Sequence, residues 1–254
     1  MNFHLPAHDV KTPAIALNGI EKSFDALKVL ENISLVVSPG EVVALIGTSG
    51  CGKSTLLNII ADLLQPDRGE ISVNGAVNNL RSDRDRIAYM FQEDRLLPWR
   101  SIRANVAFGL EAQHMDRSTR RAKAEAMLAH VGLSDFAKSW PHQLSGGMRS
   151  RVALARSLVV EPRILLMDEP FSKLDPQTRS QMHGEVIRLQ KIHGITILFV
   201  THDIEEAVVL ADRIVMMSPR PGRIRSIKTL DLPRPRIPTD PVVSEQIRQL
   251  RIEA

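Results

Sequence analysis

Residues 47–54 fit the phosphate-binding pattern G-x-x-x-x-G-K-[ST] at every required position. The glycines allow a tight turn in which backbone N–H groups point inward at phosphate oxygens. The ammonium of Lys53 can reach the outer phosphates of a nucleotide, and the hydroxyl of Ser54 can ligate Mg²⁺. We expect phosphate contacts from Gly47, Thr48, Ser49, Gly50, Cys51, Gly52, Lys53, Ser54 and Thr55. The alternative is a glycine turn that holds no ligand.

The flanking residues give this loop the context that the pattern requires. An apolar run at residues 42–46 predicts a buried strand before the loop, and residues 53 to about 64 predict a helix after it. The N-terminus of that helix adds partial positive charge beside the phosphates. A strand, a glycine loop and a helix in this order therefore favour a nucleotide site.

A second apolar strand, at residues 164–167, ends in Asp168 and Glu169. Ligands of parallel α/β sheets bind at the carboxyl ends of strands, so both carboxylates are candidates for the same site. Asp168 can hold Mg²⁺ directly or through water. Glu169 can face the terminal phosphate and polarise an attacking water as general base. A strand that ends in a solvated acidic turn is the alternative.

Two further segments supply polar groups of the kind such a site needs. His202 follows an apolar strand and can sense the terminal phosphate while orienting the water, although a structural or surface histidine is the alternative. Ser145, Gly146 and Gly147 begin a helix and form a second anion-binding N-terminus, unless they are a simple helix cap. Two copies facing head-to-tail would use both anion sites, each glycine loop closing against the other chain's serine-glycine turn.

Composition limits the class of protein. The chain has 254 residues, of which 43% are hydrophobic and 24% charged, as in ordinary globular domains. The net charge of +4 is too small to indicate nucleic acid as a partner. The single cysteine, Cys51, excludes an internal disulfide and fits a reducing compartment. We find no secretion signal and no apolar run near the ~20 residues that a membrane span needs, so we expect a cytosolic location unless a partner holds the chain at a membrane.

Strands and helices alternate along most of the chain, which predicts an α/β core with mostly parallel strands. Strands are predicted at residues 15–17, 29–37, 42–46, 70–73, 86–90, 164–167, 195–200 and 214–217. Helices are predicted at residues 53–64, 102–111, 117–131, 146–160, 177–193, 204–211 and from residue 243. We divide the chain into a loose leader (1–13), a domain that carries the nucleotide motifs (14–230) with a helical insert at about 95–160, and a tail (231–254) with a short helix. The Arg-rich tail is expected to be solvated, with contact to lipid or to a membrane partner as the alternative.

The segment Leu-Ser-Gly-Gly at residues 144–147 matches the signature motif of the ATPase subunit of ABC transporters, and the chain resembles that family over about residues 14–230. The resemblance implies a P-loop NTPase fold with a mostly parallel core sheet, an antiparallel β subdomain and an α-helical subdomain. Gln92 matches the Q-loop glutamine, which contacts Mg²⁺ and water, and Asp175 matches the D-loop, which crosses the dimer interface. Phe24 stands where the family stacks an aromatic ring on adenine, its alternative being a core strand residue.

The resemblance and the motifs together give one set of site residues. The catalytic set is Lys53, Gln92, Glu169 and His202. The magnesium ligands are Ser54, Gln92 and Asp168. Further nucleotide contacts are Phe24, Ser145, Gly146, Gly147 and Asp175.

Two shorter segments, at residues 96–100 and 218–223, resemble the nitrate, sulfonate and taurine import branch of the family. Both are expected to face a permease. The alternative for Trp99 is a packing aromatic with no meaning for substrate.

The resemblance implies an ATP-driven import motor that uses ATP and Mg²⁺. Its expected partners are a second copy in a head-to-tail homodimer and transmembrane permease subunits, with a substrate-binding protein outside the membrane that does not touch this chain. No nucleic acid partner is expected. The chain would lie peripherally on the cytoplasmic face of the inner membrane and be soluble when expressed alone. The alternatives are a lipid-handling or export system, which shares every ATP-site residue, and a soluble ABC ATPase acting on DNA or ribosomes.

Overall fold

The computed structural model describes residues 12–77, 87–113 and 115–253. The predicted leader therefore falls almost wholly outside the described residues, as does the first residue of the strand predicted at 86–90. Within the described ranges, no helix is long and apolar enough to cross a lipid bilayer.

The described strands fall into two sheets. Their bounds are β1 (Ile15–Phe24), β2 (Leu27–Val37), β3 (Val42–Ile46), β4 (Arg68–Val73), β5 (Ala76–Val77), β6 (Ile87–Met90), β7 (Ile164–Asp168), β8 (Thr196–Val200), β9 (Arg213–Met217) and β10 (Ile224–Thr229). The central sheet has the order β10-β9-β3-β8-β7-β6, and every neighbouring pair in it is parallel except β9 with β10. The second sheet, β2-β1-β4-β5, is antiparallel throughout.

Helices cover both faces of the central sheet. Their bounds are α1 (Lys53–Ile60), α2 (Ile102–Val106), α3 (Arg117–His130), α4 (Gly146–Leu158), α5 (Pro176–His193), α6 (Ile204–Leu210) and α7 (Pro241–Glu253). Helices α2, α3 and α4 lie between β6 and β7 in the chain, with 3₁₀ turns at Ala107–Gln113, Ser134–Phe136 and Pro141–Gln143. The predicted fold class is confirmed, whereas the domain boundaries stay a prediction.

Two apolar cores lie on opposite faces of the central sheet, because successive strand side chains point to opposite faces. In β3, Val42 and Ala44 join the core formed with α2 to α7, whereas Val43 and Leu45 join the core formed with α1 and the antiparallel sheet. Burial on both faces explains why β3, β7 and β8 are continuous apolar runs rather than alternating ones. The sandwich fixes the carboxyl ends of these strands, where the candidate side chains stand.

Several predicted boundaries are wrong, and local hydrogen bonds explain two of them. Helix α1 stops at Ile60 instead of about residue 64, because Asp62 has a φ of 57° and the N–H groups of Leu63 and Leu64 turn back to the Asn58 carbonyl. Strand β1 runs to Phe24 instead of residue 17, because it pairs with β2 along its whole length. The helix predicted at 102–111 ends at Val106 and continues as a 3₁₀ turn.

The expectation of a solvated C-terminal tail is also wrong. Just before the tail, strand β10, which the sequence did not predict, extends the central sheet. Arg236 is only 5% exposed, because its guanidinium donates to main-chain carbonyls that include those of Val208 and Ala211 at the end of α6. Helix α7 buries Val243 and Ile247 on one face. The tail thus packs into the core formed with α2 to α7.

Candidate active site

The glycine loop lies between β3 and α1, as predicted, and its backbone needs glycine at particular positions. Gly50 and Gly52 have φ values of 77° and 97°, in the left-handed region that favours glycine. A Cβ at Gly52 would also meet Leu30 Cδ2 at 2.5 Å. The backbone of the loop is thus pressed against β2 and turned tightly into α1.

Lys53 folds back into this loop. Its side chain is only 7% exposed, and its Nζ donates to the carbonyls of Gly47 at 2.8 Å and Thr48 at 3.0 Å. The sulfur of Cys51 lies 3.7 Å from the same nitrogen. A buried ammonium satisfied by loop carbonyls places positive charge where phosphate oxygens would be bound.

The structure brings Ser54 and Asp168 together, although they are far apart in the chain. The Ser54 hydroxyl lies near the Asp168 carboxylate, which is only 7% exposed at the end of β7. Burial raises the pKa of Asp168 above its ordinary value, and the Glu169 carboxylate raises it further, while the Ser54 hydroxyl and the Lys53 charge oppose the shift. A hydroxyl and a carboxylate beside a phosphate loop are the oxygen donors that suit Mg²⁺.

Glu169 stands between two other candidate residues. One carboxylate oxygen accepts from Gln92 Nε2 at 3.1 Å, and the other lies 3.4 Å from His202 Nδ1. The residue has a φ of 46°, and its N–H donates to the Val200 carbonyl at 3.0 Å. A strained backbone at a carboxylate held by two partners is typical of a functional position.

A cavity of about 260 Å³ opens beside the glycine loop. Thr48, Ser49 and His202 line it together with Arg225 of β10. The cavity therefore joins the loop to the histidine at the end of β8, and Arg225 is a cation that the sequence did not single out.

Ser145 and Asp175 each cap a helix. The Ser145 hydroxyl accepts from the Met148 N–H at 3.2 Å at the start of α4, and the Asp175 carboxylate accepts from the Thr178 N–H at 3.0 Å at the start of α5. The backbone hydrogen bond from Thr178 holds the pKa of Asp175 below its ordinary value. Gly147 lies against the residues just before Asp175, since an added Cβ would meet Leu174 Cδ2 at 3.4 Å.

The two caps thus lie beside one another. Within the described ranges, no hydrogen bond or ion pair joins either cap to the glycine loop of the same chain. Gly146, which follows Ser145, is half-buried at the first position of α4.

Phe24 lies at the end of β1 and is 46% exposed, with Lys22 Nζ 5.7 Å from the ring centroid. The alternative that Phe24 is a core strand residue is therefore wrong. An exposed ring is free to stack on a flat base.

Three groups of contacts were missed because they join residues that are far apart in the chain. Arg149 Nε lies 2.9 Å from Asp94 Oδ2, which ties α4 to the segment after Gln92. Arg179 Nη1 lies 3.2 Å from Asp203 Oδ2, which ties the start of α5 to the residue after His202. No local pattern signals such pairs, since single arginines and aspartates are common on helix surfaces.

The third group joins residues 218–223 to the glycine loop. Arg220 Nη2 donates to the Gly50 carbonyl at 3.2 Å, and the permease contact expected of this segment stays a prediction. The segment packs on the loop because the antiparallel β9–β10 pair turns back at this end of the sheet.

Residues 30–172 match the family model described as ABC transporter. The chain belongs to the ABC transporter family. It is 49% identical over 216 residues to the aliphatic sulfonates import ATP-binding protein SsuB 1 of Xanthomonas axonopodis pv. citri (strain 306), covering 85% of each chain. It is 44% identical to the uncharacterized ABC transporter ATP-binding protein MJ0412 of Methanocaldococcus jannaschii, covering 83% of this chain and 78% of that protein.

Solved structures give the same result. A dimeric post-hydrolysis state of the ATP-binding cassette MJ0796, bound to ADP and Pi, superposes with a TM-score of 0.80 at 32% identity over 86% of this chain and 99% of that one. These matches confirm the expectation of an ATP-hydrolysing subunit of an ABC import system. The roles of individual site residues stay predictions.

Proposed function

We propose that this chain binds MgATP between two head-to-tail copies, hydrolyses it with Glu169 as general base, and drives a permease for aliphatic sulfonates or related small anions. The observation that carries the chemistry is the position of Glu169, held between Gln92 and His202 and next in the chain to the buried Asp168.

The phosphate end of ATP would be held by the glycine loop and Lys53. Removing the Lys53 ammonium from the loop carbonyls and placing it on phosphate exchanges neutral acceptors for charged ones, which favours binding. Ser54 and Asp168, with Gln92, would hold Mg²⁺, which when bound neutralises charge on the outer phosphates. Phe24 would stack on the adenine.

Glu169 would take a proton from the attacking water. Its carboxylate accepts from Gln92 and faces His202. These contacts fix its direction, so that the base is oriented before the substrate arrives. His202, exposed at the cavity beside the loop, would donate to the terminal phosphate and keep the water in line.

The second copy would supply Ser145, Gly146, Gly147 and Asp175. In this chain Ser145 is exposed and the first turn of α4 is half-buried, and within the described ranges neither forms a hydrogen bond or ion pair with the loop of its own chain. A helix N-terminus with free N–H groups binds an anion readily, and the terminal phosphate of a partner's ATP is such an anion. The dimeric cassette of similar fold supports this arrangement.

The permease would dock in a groove of about 510 Å³ beside β6 and α4. Tyr89, Phe108, Arg156 and Val160 are among its lining residues. The groove lies next to the contacts of the Gln92 segment, since Arg156 Nη1 donates to the Arg95 carbonyl at 2.8 Å. A groove with both apolar and polar side chains in its wall suits a short helix of a membrane subunit.

Sulfonate as the solute is supported by the relatives, several of which are named as aliphatic sulfonates import ATP-binding proteins at 45–49% identity. The solute would bind to other subunits, including a substrate-binding protein outside the membrane. The permease would hold this chain at the cytoplasmic face of the inner membrane. Uptake of an alkyl sulfonate by cells that carry the complete system, against cells that carry Lys53→Ala, tests the solute.

A mixing experiment tests the shared site. Lys53→Ala destroys the loop half of each site and Ser145→Arg destroys the signature half, so each variant alone should lack MgATP hydrolysis. In a head-to-tail heterodimer of the two, both defects fall in one site and the other site is intact. Hydrolysis should therefore return in the mixture. Mixed dimers that form without any hydrolysis would contradict a site shared between two chains.

A further inference from the structure

The segment Ser-Pro-Arg-Pro-Gly-Arg at residues 218–223, here called the 218–223 turn, joins β9 to β10 and lies against the glycine loop. The Arg220 guanidinium donates to the Gly50 carbonyl through Nε at 3.3 Å and Nη2 at 3.2 Å. It is the only side chain among the described residues that donates to the Gly50 carbonyl. The Arg220 guanidinium thus binds the glycine loop at Gly50 through two of its nitrogens.

Gly222 packs against the next residue of the glycine loop, Cys51. A Cβ built at Gly222 would clash with the Cys51 carbonyl oxygen, so no side chain fits there without moving the loop. The position of Gly222 is itself fixed by β2, because its N–H donates to Val29 at 2.8 Å and its carbonyl accepts from Glu31 at 3.0 Å.

Polar contacts within the 218–223 turn and with β2 fix the conformation of the turn. Arg223 pairs with Glu31 through Nε at 3.0 Å, and the Arg223 N–H donates to the Ser218 hydroxyl at 3.1 Å. Lys28 also pairs with Glu31 at 3.1 Å, which extends the network along β2. The turn therefore presents Arg220 and Gly222 from a rigid base.

The carbonyls of Gly50 and Cys51 consequently both face the 218–223 turn. In a trans peptide the C=O and the following N–H point to opposite sides, so the N–H groups of Cys51 and Gly52 point away from the turn. The Cys51 N–H points into the loop, where it meets the Thr48 carbonyl at 3.3 Å. Fixing the outer carbonyls thus fixes the direction of the N–H groups that phosphate oxygens need.

We infer that the 218–223 turn positions the glycine loop for nucleotide binding, with Arg220 as a positioning residue that acts on phosphate through the Gly50 and Cys51 peptides. The inference rests on the proposed function, in which this loop holds the phosphates of ATP. It differs from a permease-facing role, because a contact made only with a permease cannot change binding by the isolated subunit.

The test uses the isolated full-length chain and its variants Arg220→Ala and Arg220→Lys, with Lys228→Ala as the control. Lys228 lies on β10 and pairs with Glu253 on α7, so its removal deletes one surface cation without touching the loop. For each protein, the Kd of MgATP and MgADP, the KM and kcat of hydrolysis, and the Tm without nucleotide are measured.

Arg220→Ala should raise the Kd of both nucleotides and the KM about tenfold, the effect typical of one charged hydrogen bond, and change kcat less. Its Tm should stay near that of Lys228→Ala, since the side chain is exposed. Arg220→Lys should bind nucleotide more tightly than Arg220→Ala but less tightly than the wild type, because lysine keeps the charge and lacks the planar guanidinium with its several N–H donors. Gly222→Ala should weaken binding more strongly, by pushing the Cys51 carbonyl.

The outcomes separate the two proposals. Wild-type Kd and KM values for Arg220→Ala, in a preparation whose wild type binds MgATP, would overturn the positioning role and leave the proposed function standing. A wild type that binds no MgATP would overturn the proposed function and this inference with it. A loss of affinity that is equal in Lys228→Ala would also overturn it, because the effect would then be one of net charge.

Discussion

Glu169 Oε1 lies 3.4 Å from His202 Nδ1, so the carboxylate that follows β7 faces the imidazole that follows β8. The two strands are parallel neighbours in register, with Asp168 opposite Val200. The pair is therefore a direct product of sheet pairing, and the second carboxylate oxygen remains available to Gln92.

Glu169→Gln should lower ATP turnover by about 10²- to 10⁴-fold, the usual contribution of a general base, because the amide cannot accept the proton. The shape and the hydrogen-bonding partners are nearly kept, so ATP should still bind and hold two copies together. Phosphate release and light-scattering mass with MgATP measure the two effects. Glu161→Gln is the matched control, since Glu161 is exposed and pairs with Lys123 on the helical insert. A variant that turns over ATP normally would contradict the assignment of the base.

Asp168→Asn should stabilise the nucleotide-free protein at neutral pH while removing its response to Mg²⁺. Burial raises the pKa of Asp168, so the folded state holds the proton more tightly than the unfolded state does. Stability from this group is present below the unfolded pKa and is lost as pH rises through the folded pKa, so the ionised carboxylate costs stability at pH 7.

Thermal unfolding across pH checks this prediction. The Tm advantage of Asp168→Asn should be largest near neutral pH and should shrink in acid, where the wild-type carboxyl is protonated. Asp135→Asn, at an exposed position of the helical insert, is the control and should show no such pH-dependent gain. An Asp168→Asn Tm that is equal to or below the wild-type Tm at pH 7 would argue against a costly buried charge.

Ser145→Ala and Ser101→Ala form a matched pair that separates capping from trans binding. Each hydroxyl caps a helix of the same insert, accepting from Met148 at 3.2 Å and from Ala104 at 3.3 Å. Both variants should lose about 1 kcal/mol of unfolding free energy, as cap removal typically does. Only Ser145→Ala should also weaken ATP-dependent dimerisation and hydrolysis, by about tenfold or more for one lost phosphate contact. Equal activity in the two variants would mean that Ser145 is a helix cap and nothing else.

Trp99→Ala should weaken assembly with the permease and leave the isolated ATPase unchanged. The side chain is 69% exposed and precedes Arg100, whose guanidinium lies 4.8 Å from the Phe108 ring at the edge of the groove. Exposed substitutions change stability by about 0.5 kcal/mol or less, whereas a buried aromatic anchor of an interface is worth about 2 kcal/mol or more.

Co-purification with the permease and ATPase rate of the isolated subunit measure these two quantities for Trp99→Ala. Ile252→Ala on α7 is the control, since it removes a similarly exposed apolar side chain far along the chain. If Trp99→Ala co-purifies as well as Ile252→Ala does, Trp99 is not an anchor of the permease interface.

Local patterns were sufficient for the parts of the site that lie next to each other in the chain. The strand β3, the glycine loop and the start of α1 follow from an apolar run, left-handed glycines and a helix N-terminus, all of which are short-range effects. The same holds for Asp168 and Glu169, because the end of a buried strand places them at the edge of the sheet.

Local patterns failed where long-range packing decides the conformation. Arg236 looks like a surface residue in the sequence, yet carbonyls at the end of α6 compensate its burial. Strand β10 forms because β9 offers an open edge, which residues 219–230 do not reveal by themselves. The helix predicted through residue 64 stops earlier because Asp62 adopts a positive φ that no composition rule signals.

The amino-acid sequence by itself determined the chemical inventory of this protein: a phosphate loop, two carboxylates after a buried strand, a histidine after another, and a serine-glycine helix start. Only the tertiary structure decided that Ser54 lies near Asp168, that Glu169 faces His202, and that Arg220 donates to the glycine loop. The physical reason is the distance along the chain between the residues that interact. Turns, caps and strand ends are set by neighbouring residues, whereas these contacts join segments separated by up to 170 positions and exist only once the central sheet has paired its strands.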